Sequence, residues 1–255
     1  MLIWASSALF LIALKHMPVF LLEFIIMGFG GLIMILVGQK PSNMAGFSVY
    51  GLLGVAGNHL SYILALRLIP AAAVDLIYCL WPLLVVIFAY KGFSPKKILQ
   101  AFIVVVAGLI VLLVHYDFIY SYKFFLGCSI AFVGPLLWSL YVAKAPHGDS
   151  CFLIGLYLLF GCLLSLFLSL SFGEYYHLKL QDWFYLTLLS IGPCSLAYML
   201  WDKALIKSEL NLSFLGYLIP ISSYLILIIF NVINLDITIL MALSLLSVSG
   251  IIINT

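Results

Sequence analysis

Charge is what this chain has least of. Only 8% of its 255 residues are Asp, Glu, Lys or Arg, against 66% hydrophobic, whereas an average soluble domain is about 25% charged. The shortage excludes a water-soluble globule, because apolar patches beyond roughly a few hundred Å² drive association. The eleven basic residues are dispersed and form no patch, so no nucleic-acid partner is expected. Arginine occurs once, as Arg67, and no cluster of lysines or arginines lies deep in an apolar run. That argues against phosphate-rich ligands, which need cationic clamps, and for neutral or zwitterionic ones. The five cysteines, at 79, 128, 151, 162 and 194, are odd in number and lack C-x-x-C spacing. Neither a disulfide framework nor a zinc site follows, and they read as small hydrophobes. Catalytic signatures are missing as well: no G-x-S-x-G, no H-E-x-x-H, no Walker A and no carboxylate pair in register. An enzyme, a metal and a cofactor are therefore not expected, and ATP cannot drive this chain directly.

What the sequence has instead is long apolar runs. A spanning helix needs about 20 such residues, and ten candidate runs lie at about 1–14, 17–37, 44–66, 71–90, 97–114, 124–143, 151–172, 183–206, 210–230 and 236–253. The links between them are too short for a soluble domain, so consecutive helices are expected to be antiparallel neighbours. The first run gives only about 21 Å of helix at about 1.5 Å per residue, against a core of about 30 Å. It lacks a basic leader segment and is followed by Lys15-His16, so it does not read as a signal peptide. The expectation is that this helix extends upstream of Met1. With the N-terminus inside, cytoplasmic links hold Lys40, Lys91, Lys96, Lys97, Lys144, Lys203 and Lys207. The outer ones hold Lys15, Arg67, Lys123 and Lys179. The excess of positive charge places both termini in the cytoplasm.

Two runs carry a proline near their midpoints, in Tyr78-Cys79-Leu80-Trp81-Pro82 and Gly216-Tyr217-Leu218-Ile219-Pro220. The prolines lie 138 positions apart, about half the chain. Ala107-Gly108-Leu109-Ile110 echoes Ser249-Gly250-Ile251-Ile252, and Ala65-Leu66 echoes Ala204-Leu205. A five-helix unit is odd, so a second copy crosses upside-down relative to the first. The expected fold is all-α and membrane-integral, with ten spans as two inverted repeats, 1–120 and 121–255, around a central cavity. Paired interruptions in two such halves point to a binding site where the halves meet. A mid-helix proline leaves the carbonyl four residues back without its donor, and in lipid that carbonyl is tolerated only against protein or a wet cavity.

Candidate site residues cluster near these breaks. Asp75, Tyr78 and Pro82 share a helical face, with Trp81 beside them; Trp81 is too deep for an interfacial anchor, leaving packing or cavity lining. Trp183 and Trp201, near run ends, read as interfacial anchors. The ninth run repeats the pattern with Ser213, Tyr217, Pro220 and Tyr224. His59 and Tyr62 in the third run, Trp138 and Tyr141 in the sixth, and Ser195 and Tyr198 in the eighth add aromatic and hydroxyl stripes. Buried histidines are as often core residues as ligands, so His59 gains weight only from this company. Such a wall suits an apolar ring with a few polar groups. Arg67, Asp75, Asp202 and Lys203 lie toward run ends, where snorkelling or pairing accounts for them. Glu23 reads the same way, as a snorkelling or backbone-paired carboxylate.

With these motifs in hand, the chain resembles the drug/metabolite transporter superfamily in its EamA-type branch. The carriers of the likeness are Trp4-Ala5-Ser6-Ser7, Trp81-Pro82, Ala197-Tyr198-x-x-Trp201, Tyr217-x-x-Pro220 and the small-residue repeats. Tyr78-Cys79-Leu80-Trp81-Pro82 is most similar to the aromatic amino-acid exporter (YddG-like) group. The resemblance implies a ten-helix basket in the bacterial inner membrane, with cytoplasmic termini and cavity-lining roles for His59, Tyr62, Trp81 and Trp138. The chain departs from the pattern at Glu23, where many relatives place arginine, and at Cys79, where tyrosine is expected. The leading expectation is a secondary transporter of amino acids, aromatic or otherwise zwitterionic, partnered by lipid and in some cases by a coupling proton or other ion. S-adenosylmethionine is an alternative substrate, and a membrane-embedded enzyme on lipid-linked substrates is an alternative of another class.

Overall fold

The computed structural model describes residues 1–40, 47–89, 95–96, 98–100, 102–103, 106, 121–144, 151–207 and 215–254. Most of the fifth expected run, including Ala107-Gly108-Leu109-Ile110, lies outside the described residues, as does Ser213. Among the described residues every regular element is helical. In chain order they are α1 (Leu2–Ala13), α2 (Val19–Val37), α3 (Val49–Leu66), α4 (Ala71–Tyr78) and α5 (Trp81–Ala89). There follow α6 (Tyr122–Lys144), α7 (Cys151–Ser171), α8 (Leu180–Ile191 through Gly192–Leu196 into Ala197–Lys207), α9 (Leu218–Ile229) and α10 (Ile237–Asn254). Five of these, α2, α3, α6, α7 and α8, are long and apolar enough to cross a membrane.

The proline-bearing runs differ from the expectation of kinked helices. The backbone of α4 stops at Tyr78, tightened by Cys79 N donating to Asp75 O and Leu80 N to Ile77 O. A new helix then begins at Trp81, which puts Pro82 at its second residue. Likewise α9 begins at Leu218 and Pro220 is its third. In a first turn a missing N–H leaves no carbonyl stranded, and the fixed φ favours the start of a helix. Pro82 therefore starts the helical stretch that follows a break, while Pro220 lies in the first α-turn after a 3₁₀ turn at 215–217; residues 208–214 lie outside the described residues.

Two further irregularities lie in long helices. A π turn at Leu53–Gly57 interrupts α3 and another at Gly192–Leu196 interrupts α8. Such bulges widen the helix locally and are frequent at functional sites. Close packing elsewhere depends on small residues. Along the seam of α2 and α7, a Cβ on Gly31 would approach Gly155 O at 3.0 Å; in a membrane bundle small residues let backbones meet this closely.

One end of the bundle is stitched by polar groups. Glu174, between α7 and α8, accepts the N–H groups of Phe20 (3.3 Å) and Leu21 (2.7 Å) at the start of α2, capping donors that no helical carbonyl can reach. Arg67 donates to the carbonyls of Lys15 and Met17. His16 pairs with Asp182 at 3.0 Å, and Tyr176 donates to the same carboxylate at 3.1 Å. The outward faces are apolar instead: Leu36, Leu163, Phe167 and Ile229 are each more than 60% exposed. In water such faces would aggregate, but they are compatible with acyl chains.

Candidate functional site

A cavity of about 130 Å³ lies between the two broken segments. Its lining draws on α1 to α6, α8 and α9, together with Cys79 and Gly216. Among the expected residues, His59, Tyr62, Tyr78, Trp81, Trp138, Tyr198 and Pro220 all line it. Pro82 and Tyr217 do not. Pro82 is buried one residue beyond Trp81, and Tyr217 is 2% exposed in a separate cluster with Leu76, Cys79, Tyr224 and Leu243. The half-helix start at Leu218 turns Gly216, rather than Tyr217, toward the cavity.

The aromatic wall holds itself together edge to face. Trp4 meets Trp138 at 5.9 Å and 79°, and Tyr198 at 5.5 Å and 84°. Trp81 meets Trp201 at 5.4 Å and 89°, and Tyr62 meets Tyr78 at 4.9 Å and 76°. Positive ring edges against negative faces add about 0.5–1.5 kcal/mol per pair beyond burial, so the rings are oriented before any ligand arrives. Hydrogen bonds fix the helices behind them. The Trp4 indole donates to Pro193 O in the α8 π turn at 3.1 Å. Tyr78 Oη donates to Asn58 O at 3.0 Å, and Ser139 Oγ to Trp81 O at 2.9 Å. The Ser139 hydroxyl is shared between Trp81 O and, at 2.5 Å, Pro135 O of its own helix, tying α6 to the start of α5.

The two breaks touch. A Cβ on Gly216 would fall inside the Trp81 indole, against Cζ2 and Cε2. Only glycine leaves room for the ring at that approach.

Several lining residues were not selected as site residues from the sequence. Asp75 accepts Tyr62 Oη at 2.7 Å and Ser223 Oγ at 2.8 Å, linking α3, α4 and α9 at the cavity. Its place near the end of a run concealed this, because depth was counted along an unbroken helix; with α4 ending at Tyr78, Asp75 sits beside the break. Asn58, Pro135, Pro193 and Ser223 also line the cavity. The mid-run prolines 135 and 193 were a signal available in the sequence.

Other readings are corrected. Trp201 is 5% exposed and packs on Trp4, Trp81 and Trp138, so it is no interfacial anchor, whereas Trp183 is 40% exposed. Asp202 is buried on the same turn, not snorkelling. Glu23 is fully buried with neither carboxylate oxygen hydrogen-bonded, which overturns its reading as snorkelling or backbone-paired.

The fold has a counterpart among solved structures: a protein of known crystal structure superposes with a TM-score of 0.76 over 98% of this chain and 93% of its own, at 23% identity. No family model matches the sequence. The chain is 28% identical over 251 residues to the aromatic amino acid exporter YddG of Ancylobacter novellus, covering 89% of this chain and 85% of that one. The similarity to the YddG-like transporter group carried by the motifs therefore extends over nearly the whole chain.

Proposed function

We propose that this protein is a multi-pass membrane transporter that carries small metabolites, aromatic and other zwitterionic amino acids first, through the cavity beside its proline-bearing segments by alternating access. The observation that carries the reading is the meeting of Trp81 and Gly216 at the cavity wall. Breaks at matched depths in two halves, with half-helix starts facing a shared pocket, are the arrangement in which secondary transporters bind substrate at mid-membrane. An inverted-repeat architecture is supported by spacing: the prolines are 138 positions apart (82 to 220), and the π turns start 139 apart (53 to 192). The aromatic lining favours an indole or phenyl side chain, in line with the substrate in the relative's name. Both termini lie in the cytoplasm on the lysine distribution, and the membrane is the bacterial inner membrane.

His59, Tyr62, Tyr78, Trp81, Trp138 and Tyr198 form the substrate wall in this reading, while Tyr217 and Pro82 support the breaks from behind. The test is uptake of radiolabelled tryptophan, phenylalanine and tyrosine into proteoliposomes, with and without an imposed proton gradient. Saturable uptake above that of protein-free liposomes is expected. Absence of uptake for all three, from protein that is folded and correctly inserted, would refute the substrate assignment.

A further inference from the structure

Resting on the transporter reading above, we propose that Asp75 receives the substrate's ammonium group, and that the site favours aromatic ligands of net positive charge over zwitterions and rejects anions.

The inference starts from the cavity's charge. Asp75 is the single carboxylate among the described lining residues, which include neither lysine nor arginine. The His16–Asp182 pair lies outside the cavity lining. The partners of Asp75 are two neutral hydroxyls, one to each oxygen. They orient the carboxylate without cancelling its charge. A carboxylate offers about four acceptor positions, so two stay open toward the cavity. A charge at this depth is expensive unless it is paired, and in this pocket the missing partner is a cation.

The surrounding rings suit the same guest. Trp4, Trp81, Trp138 and Tyr198 line the pocket, and aromatic faces attract ammonium groups, most strongly when water is excluded. A substrate carboxylate is served far less well. Within the described lining it meets neutral donors alone, among them the Ser7 hydroxyl, the Trp138 indole and the His59 ring, and no cation. An amino acid is therefore held firmly by its ammonium end and loosely by its carboxylate. Removing the carboxylate's charge loses little, and removing the ammonium loses the anchor. The Tyr62 and Ser223 donors come from α3 and α9, so ligand binding at Asp75 bears on helices from both ends of the sequence.

The test ranks three indole probes on the purified protein in detergent by calorimetry: tryptamine (net +1), tryptophan (zwitterion) and indole-3-propionate (net −1). Tryptamine is expected to bind at least as tightly as tryptophan, and both at least about tenfold more tightly than indole-3-propionate, the usual range for a charged hydrogen-bonded pair. Asp75→Asn keeps the shape and one hydroxyl acceptor, the other hydroxyl having to turn and accept from the new amide, and should reduce that discrimination by about tenfold or more. Equal binding of tryptamine and indole-3-propionate to the unaltered protein would overturn the proposal, even if the variant does not accumulate. Binding with this ranking but no liposome uptake would sustain the ammonium site and sink the transporter reading. Uptake of tryptophan without any charge ranking would do the reverse.

Discussion

The two broken segments do opposite jobs. At the first, the chain presents bulk: Trp81 begins a half-helix and lays its indole across the cavity wall. At the second, it presents absence: Gly216 yields the space that the indole fills, while the neighbouring Tyr217 is buried behind the break. Two proline-bearing segments thus carry unmatched side chains. Pseudo-symmetry can serve the motion of two halves, but a site for an asymmetric ligand needs one half to supply surface and the other to supply room.

That contrast can be broken experimentally. The largest effect is expected from Trp81→Ala, which removes a ring in contact with Trp138, Trp201 and Gly216. Large aromatic deletions from cores cost about 3–5 kcal/mol, and a ring bordering a cavity belongs near the lower figure. Thermal denaturation should register the loss and aromatic amino-acid uptake should fall to background; unimpaired uptake would mean that Trp81 is packing alone. Gly216→Ala ranks next, because its new methyl group overlaps the same indole. Overpacking of this kind costs about 1–3 kcal/mol, and adding Trp81→Leu should restore stability without restoring uptake. If Gly216→Ala is silent by both readouts, the breaks do not meet as described.

A smaller effect should come from the polar end, whose residues do not line the cavity. Glu174→Ala removes the acceptor of two N–H groups at the start of α2 and should cost about 1 kcal/mol, the usual value of a lost helix cap. Substrate KM should not move; a changed KM would tie this stitch to the transport cycle. Smallest of all, Tyr217→Phe should leave KM unchanged and shift stability by less than about 1 kcal/mol. A marked KM effect would place Tyr217 in the site, as Tyr78 is at the first segment, and the contrast between the two segments would fall.

Much of this was legible in the sequence because bilayer residence imposes a one-dimensional pattern. Apolar runs of spanning length located α2, α3, α6, α7 and α8 to within a few residues, and prolines 82 and 220 fall in the first turns of α5 and α9. The misreadings share one cause. Asp75, Trp201, Asp202 and Glu23 were placed by distance from the end of a run, a measure that holds only for a straight, unbroken helix facing a uniform solvent. A break brings Asp75 beside the cavity, and packing on Trp4, Trp81 and Trp138 draws Trp201 away from the interface.

By itself, then, the sequence determined the helical class and the positions of the five long apolar helices, since hydropathy acts locally along the chain. Only the tertiary structure decided that Gly216 meets Trp81, that Tyr217 turns away and that Asp75 joins Tyr62 to Ser223. Those facts depend on which faces of distant helices come together, and residues 148 positions apart carry no local signal that they will share a hydrogen bond.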